Sequence, residues 1–81
     1  MLSTRQYLRQ LDKSTLAKLF ELSDLTETEY WLLTYAFIQQ RMRENTCAKL
    51  NIGTTKYATM LNEALIKVEY TIRDLDKIRT M

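Results

Sequence analysis

Apolar residues recur every three or four positions along most of the chain, a spacing typical of amphipathic α-helices. The first such pattern covers residues 3–22. Its apolar positions are Tyr7, Leu8, Leu11, Leu16, Leu19 and Phe20. Ser3 or Thr4 can cap its start, and Asp12 or Ser14 offers a second cap further on. The pattern therefore predicts helix here but leaves open one bent helix or two short ones.

The clearest helix start lies in the stretch "SDLTETEYWLLTYAFIQQ". Thr26 followed by Glu29 is a capping box, in which the hydroxyl accepts from an early backbone N–H and the carboxylate reaches back to the cap. Leu25 and Tyr30 can form the accompanying hydrophobic staple. Apolar residues then cover nearly every face over residues 30–38, so we expect this helix to be the central and most buried one.

The aromatic residues of this helix admit two interpretations. Tyr30, Trp31 and Tyr35 lie on a strongly apolar helix, so we expect them in the core. If they were exposed, they could form a stacking platform for single-stranded nucleic acid.

The stretch "RENTCAKL" predicts a short helix that "NIG" interrupts. Asn51 tolerates the left-handed conformation that ends a helix, and Gly53 supplies backbone freedom. From Thr54 the helical pattern runs almost to the end of the sequence. This predicts a last helix of up to ~25 residues, or roughly 40 Å at about 1.5 Å per residue.

The composition favours an all-α fold. The chain has 81 residues, no proline and a single glycine, so it lacks the turn residues that sheets and long loops require. We expect one helical domain over residues 1–81, a small bundle that contains a helix-turn-helix and a long C-terminal helix.

Apolar residues of the C-terminal helix alternate at spacings of four and three, as in a coiled-coil seam. These residues are Leu61, Leu65, Val68, Ile72 and Leu75, with Ile78 beyond them. Two interpretations fit this spacing. The helix could form a homodimer with a second copy, or it could pack on the first helix of its own chain.

Several kinds of chemistry are excluded by residue type. The chain has no histidine and one cysteine, so neither a His- or Cys-based metal site nor His acid–base catalysis can be built. There is also no Gly-rich phosphate loop. We therefore expect a protein that is not an enzyme and uses no cofactor, with Cys47 as a buried thiol in a reducing compartment. The start "MLSTRQYLRQ" lacks a signal-peptide pattern and no stretch suits a membrane span, which predicts a cytoplasmic protein with no membrane partner.

Residues 43–62 fit a helix-turn-helix. This motif needs a small residue where the helices cross, a leucine one turn later, a residue that accepts positive φ, an apolar residue after it, and two inward residues on the second helix. The matching residues are Cys47, Leu50, Asn51, Ile52, Tyr57 and Met60.

The segment "LTETEYWLLTYAFIQQRMRENTCAKLNIGTTKYATMLNEALIKV", residues 25–68, resembles region four of bacterial sigma factors and related small regulators of phages and mobile elements. The resemblance is carried by the Leu-Thr-x-x-Glu start, the Leu-Gly-Val/Ile-Ser turn, and an Ala-Leu pair with a basic residue soon after it. The corresponding residues are Leu25, Thr26 and Glu29; Leu50, Asn51, Ile52 and Gly53; and Ala64, Leu65 and Lys67. Two features depart from the family. Gly53 replaces the usual serine cap, and the recognition helix is poor in arginine.

This resemblance implies a small transcriptional regulator that reads double-stranded DNA in the major groove. Thr54, Thr55, Lys56 and Thr59 would then face the groove, with Asn62 at a phosphate or base edge. The basic residues Arg41, Arg43 and Lys49 would hold the DNA backbone, which supplies position and not sequence. The alternative is that all eight are simply solvent-exposed.

The charge pattern also supports a second function. The net charge is only +2, and residues 21–29 carry four acids and no base. Together with the long C-terminal helix, this acidic stretch is typical of a protein-binding module. Such a module would dock on RNA polymerase or another regulator without reading DNA.

Overall fold

Five α-helices and one π-helical segment are present in the computed structural model, which describes the backbone of residues 3–80 and the side chains of residues 3–75. The elements are α1 (Thr4–Arg9), α2 (Lys13–Leu22), α3 (Glu27–Leu33), the π segment (Thr34–Ile38), α4 (Arg43–Leu50) and α5 (Thr54–Thr80). Residues 3–80 contain no strand, so the all-α prediction is confirmed.

The N-terminal pattern forms two short helices and not one bent helix. Ser3 caps α1, because its hydroxyl accepts from the Gln6 N–H at 3.2 Å while the Gln6 side chain accepts from the Ser3 N–H at 3.0 Å. Asp12 caps α2 by accepting from the Thr15 N–H at 2.7 Å. Each cap satisfies an N–H that has no partner within its helix, so the chain can stop and restart between the two.

Residues 30–38 are heavily buried as predicted, since only Trp31 among these nine residues is exposed, but they share the centre of the fold with α5. α5 contacts each of the other four α-helices. It buries Leu61, Ala64, Leu65 and Val68. The molecule is 43 Å long, close to the roughly 40 Å expected for a helix of this length. No helix within residues 3–80, α5 included, is both long and apolar enough to cross a membrane.

The expectation that Trp31 lies in the core is wrong. Leu32 and Leu33 are fully buried, but Trp31 is 42% exposed. Successive residues of an α-helix point about 100° apart, so α3 can bury the two leucines while it turns the indole outward. Tyr30 and Tyr35 are only partly buried, on either side of Trp31. In a domain this small, α3 is covered on one side only.

The predicted capping box at the start of α3 is confirmed. The Thr26 hydroxyl accepts from the Glu29 N–H at 3.2 Å, and the Glu29 carboxylate accepts from the Thr26 N–H at 2.9 Å. The same carboxylate oxygen accepts from the Lys67 ammonium at 2.7 Å. A residue of the cap therefore also ties α3 to α5.

The apolar seam of α5 packs on its own chain. Leu61, Leu65 and Val68 are buried, and beyond them Ile72 and Leu75 line a groove with residues of α1 and α2. The intramolecular interpretation therefore accounts for Leu61, Leu65 and Val68, and for Ile72, which packs against the same core, but Leu75 is 40% exposed. The homodimer interpretation stays a prediction. Ile78 lies outside the described side chains.

Candidate nucleic-acid interface

The link between α4 and α5 is a three-residue turn, residues 51–53, that begins with a left-handed residue. Asn51 has φ 55° and ψ 49°, as its residue type predicts. The Ile52 N–H donates to the Cys47 carbonyl at 3.0 Å, the bond of a Schellman motif that closes the end of α4. The Gly53 carbonyl then accepts from the Tyr57 N–H at 2.9 Å, which starts α5.

Gly53 does not have the role that its residue type suggested. Its φ is not positive, and a Cβ added there would meet no atom within 4 Å. Asn51 alone supplies the left-handed conformation of the turn. Gly53 occupies the N-cap position of α5, where glycine and serine differ by only a few tenths of a kcal/mol.

The inward side of the motif is largely as predicted. Cys47 and Tyr57 are buried, and the three remaining apolar positions of the template are partly buried against the core. Those three are Leu50, Ile52 and Met60. Leu61, which the template does not include, is buried more deeply than Met60. One polar residue of α4 is also on the inward side of the motif: Thr46 is fully buried, and its hydroxyl has no hydrogen-bond partner.

All five residues predicted on the second helix are exposed. Thr55, Thr59 and Asn62 lie three or four positions apart and so share one face of α5, opposite the buried Tyr57 and Leu61. The Thr59 hydroxyl donates to the Thr55 carbonyl at 3.2 Å, which leaves its oxygen free to accept. Thr54 and Lys56 flank this face.

One surface depression brings together a predicted cation and a predicted amide. Arg43, the first residue of α4, lines it together with Asn62 of α5. Arg5 of α1 lines the same depression, and sequence reasoning missed it. No local signal could have found Arg5, because only tertiary packing brings α1 beside α4 and α5.

The charges in this depression affect the tyrosine at its base. Burial raises the pKa of the Tyr57 phenol, and Cys47 adds to the rise. The positive charges of Arg5 and Arg43 act in the opposite direction. Arg5 and Arg43 thus line the same depression as Tyr57 and oppose the rise of its pKa.

Two of the predicted basic residues are exposed on α4. Lys49 lies in its last turn, and Arg43 contacts Glu44 at 3.7 Å with both side chains well exposed. An ion pair in such a setting contributes little, so the Arg43 guanidinium can exchange it for another anion.

Arg41 lies apart from the other predicted cations. Its guanidinium donates to Gln39 at 2.6 Å and to Asn45 at 3.2 Å, and it sits over the Tyr35 ring at 5.5 Å. It lines a cavity beside α1 and α2 and not the depression of Arg43. The basic residues predicted as one set are thus divided between two surfaces.

Comparison with protein-family models, with curated proteins and with solved structures finds no match to this chain. The resemblance to sigma region four therefore rests on the sequence motifs alone. Two residues from separate motifs of that resemblance, Glu29 and Lys67, are in direct contact.

Proposed function

We propose that the chain is a small DNA-binding transcriptional regulator that inserts the first turns of α5 into the major groove. One observation carries this proposal: the turn at Asn51 joins two packed helices and leaves Thr55, Thr59 and Asn62 on one exposed face. The major groove of B-DNA is wide enough to admit an α-helix that presents such a face.

In this proposal the polar side chains have separate roles. Asn62 can pair with the two groups that adenine offers in the major groove, while Thr55 and Thr59 contact other base edges or thymine methyl groups. Thr54 and Lys56 extend the same face. Arg43 and Lys49 bind phosphates and hold α5 in register. Arg5 joins them, since it shares the depression that Arg43 and Asn62 line.

The test is the polarization of a labelled random-sequence duplex titrated with the protein. Four basic residues, Arg5, Arg43, Lys49 and Lys56, can reach phosphates in this arrangement. We expect affinity to fall roughly a hundredfold between about 50 mM and about 200 mM salt. Arg43→Glu and Lys56→Glu should each weaken binding about tenfold at low salt, because each removes one phosphate contact and adds a repulsion.

A matched control is Arg73→Glu, which reverses an exposed charge further along α5. It should leave affinity for the duplex close to that of the unmodified chain. Absence of binding at low salt would contradict the proposal, and so would equal losses for Arg73→Glu and Arg43→Glu.

A second candidate function is a protein-binding module, and the exposed Trp31 favours it. Its ring stacks on Tyr35 at 5.8 Å and meets Tyr30 edge-on at 5.5 Å, so the indole is held in place at the surface. Exposed, ordered tryptophans are frequent anchors of protein interfaces. Three exposed acids, Glu21, Asp24 and Glu27, belong to the neighbouring stretch of chain.

For this second function, the first partner to test is RNA polymerase. An N-terminally labelled chain titrated with purified polymerase should show saturable binding that Trp31→Ala weakens about tenfold or more. Tyr7→Ala, which truncates an exposed aromatic residue of α1, is the control and should bind as the unmodified chain does. If the chain does not bind polymerase, or if Trp31→Ala leaves the affinity unchanged, the hypothesis that polymerase docks on this surface is contradicted.

Dimerisation would strengthen either function, and we propose that it uses the outer face of α5. Ile66 and Tyr70 are 51% and 61% exposed and lie four positions apart. The part of the apolar seam from Leu61 to Val68 is buried against the chain's own helices. Sedimentation equilibrium should give a dimer that Ile66→Glu converts to a monomer, and a monomer at every concentration would contradict this step.

A further inference from the structure

A cavity of about 420 Å³ opens between the α1–α2 junction and the end of the π segment. Its walls combine apolar and basic side chains. Leu11, Ala36 and Phe37 are partly exposed and contribute apolar surface, and Arg9, Lys13 and Arg41 contribute positive charge. This volume lies within the range of small-molecule sites in proteins, which join an apolar lining to a few polar groups.

All three cations line the same cavity, and none of its lining residues is an acid. Arg9 comes from the end of α1, Lys13 from the start of α2, and Arg41 from the segment before α4. Asp12 is next to Lys13 in sequence, but its carboxylate accepts from the Thr15 N–H and caps α2. Like charges on one cavity repel each other, and a bound anion would relieve that repulsion.

Arg41 is positioned before any ligand arrives. Its Nε and one Nη are bonded to Gln39 and Asn45, and Tyr35 lies beneath the guanidinium. A guanidinium has five N–H donors, so the remaining ones can serve an anion. A side chain fixed in this way loses little conformational entropy on binding.

The backbone beside the cavity is unusual in two ways. The π segment supplies Phe37, and single π turns inside helices occur frequently at functional sites. Gln40, which also lines the cavity, has φ 52° although it is not glycine. The Arg41 N–H donates to the Tyr35 carbonyl at 2.8 Å, so this left-handed residue closes the end of the helix and fixes the backbone of Arg41.

We propose that this cavity binds a small organic anion that has an apolar body. The anionic head would lie among Arg9, Lys13 and Arg41, where charge-assisted hydrogen bonds are available. The body would replace water against Leu11, Ala36 and Phe37. This binding is independent of DNA recognition, because Arg43, Lys49 and the exposed face of α5 are not part of the cavity.

The probe for this site is 8-anilinonaphthalene-1-sulfonate, an aromatic anion whose fluorescence rises in apolar surroundings. N-phenyl-1-naphthylamine has the same rings without the sulfonate and serves as the neutral control. We expect one saturable site that binds the anion about tenfold more tightly than the neutral compound, as the loss of a charge-assisted hydrogen bond implies.

Substitutions then locate the site. Arg9→Gln and Lys13→Gln should each weaken binding of the anion about tenfold or more. Arg73→Gln, a change of an exposed cation outside the cavity, should leave it unchanged. Far-UV circular dichroism of each variant checks that the helices are retained.

The probe could instead bind in a neighbouring groove, and a substitution there distinguishes the two sites. Lys18 lines an apolar groove between α2 and the later part of α5. If Lys18→Gln weakens binding while Arg9→Gln does not, the probe occupies that groove and the proposal is overturned. Absence of binding would overturn it, and so would equal affinity for the charged and neutral probes.

Discussion

Two regions of the molecule differ in the environment of their polar groups. One is the contact between α3 and α5, and the other is the outer surface of the helix-turn-helix. In the first, the Glu29 carboxylate is almost fully buried and accepts from both Lys67 and Thr26. In the second, Thr55 and Asn62 extend into solvent. Polar groups that are paired inside the protein hold the fold, whereas exposed ones are available to a ligand.

This difference separates stability from recognition along a single helix. The later part of α5 is fixed by the ion pair with α3, and its first turns carry the proposed DNA contacts. Substitutions at the ion pair should therefore change the free energy of unfolding and leave DNA contacts intact. Substitutions at the outer face should do the reverse.

The largest expected effect follows from removing Lys67. Lys67→Met leaves the buried Glu29 carboxylate without its cation, which should lower the free energy of unfolding by about 2 kcal/mol. Urea denaturation followed by circular dichroism measures this loss. The double variant Glu29→Gln/Lys67→Met should recover part of it, because no unpaired charge remains. An unchanged unfolding midpoint for Lys67→Met would show that the pair does not stabilise the fold.

Part of the same stabilisation should disappear in acid. Burial acts to raise the pKa of Glu29, but the hydrogen bonds from Lys67 and Thr26 outweigh it, so the pKa lies below its ordinary value of 4.5. A carboxyl with a lowered folded pKa stabilises fully above 4.5 and loses that contribution as pH falls through the folded value.

The matching contribution of Lys67 behaves differently. The hydrogen bond to Glu29 raises the pKa of Lys67 above 10.5, so its contribution is complete below that pH and is lost only as pH rises through the folded pKa.

Urea denaturation at a series of acidic pH values tests the contribution of Glu29. The difference in the free energy of unfolding between the unmodified chain and Glu29→Gln should narrow below pH 4.5. A gap that is constant with pH would contradict this assignment.

A smaller effect of opposite sign is expected beneath the helix-turn-helix. Thr46 is fully buried and its hydroxyl has no partner, so Thr46→Val should raise the free energy of unfolding by about 1 kcal/mol. Thr34→Val should act in the same direction, since its hydroxyl is buried and unpaired as well. Thr59→Val, the same change at the exposed face, is the control and should not raise the free energy of unfolding. A loss of stability in both buried variants would mean that these hydroxyls do stabilise the fold.

The smallest effect concerns the two left-handed residues. Gln40 has φ 52° and Asn51 has φ 55°. Asn tolerates this conformation better than Gln does, so Gln40→Gly should stabilise the protein by about 0.5 kcal/mol and Asn51→Gly by less. Thermal unfolding of the two variants side by side measures the difference. A greater gain for Asn51→Gly would contradict the ranking.

Local features of the fold could be predicted from the sequence. The capping box at Thr26, the bounds of α4 and the left-handed Asn51 each depend on residues a few positions apart, so the sequence pattern contains what decides them. Long-range features could not be predicted. Glu29 and Lys67 are 38 positions apart, and only packing brings them together.

The candidate interface shows the same division. The exposure of Thr55, Thr59 and Asn62 follows from helical spacing once the inward residues are known. The position of Arg5 beside Arg43, and that of Arg41 in a separate cavity, could not be predicted because both depend on how α1 packs against the rest. The exposed Trp31 was also missed, since an apolar run does not indicate which of its residues a small core leaves uncovered.

The central claim is that the first turns of α5, together with α4, form the surface that meets DNA. The most direct test is a nitrogen-15 NMR titration of the labelled protein with a short random-sequence duplex at low salt. We predict that the largest amide shifts fall within residues 54–62 and at Arg43 and Lys49, with α2 little changed. Shifts concentrated around Trp31 and Tyr35, with residues 54–62 unmoved, would contradict the account.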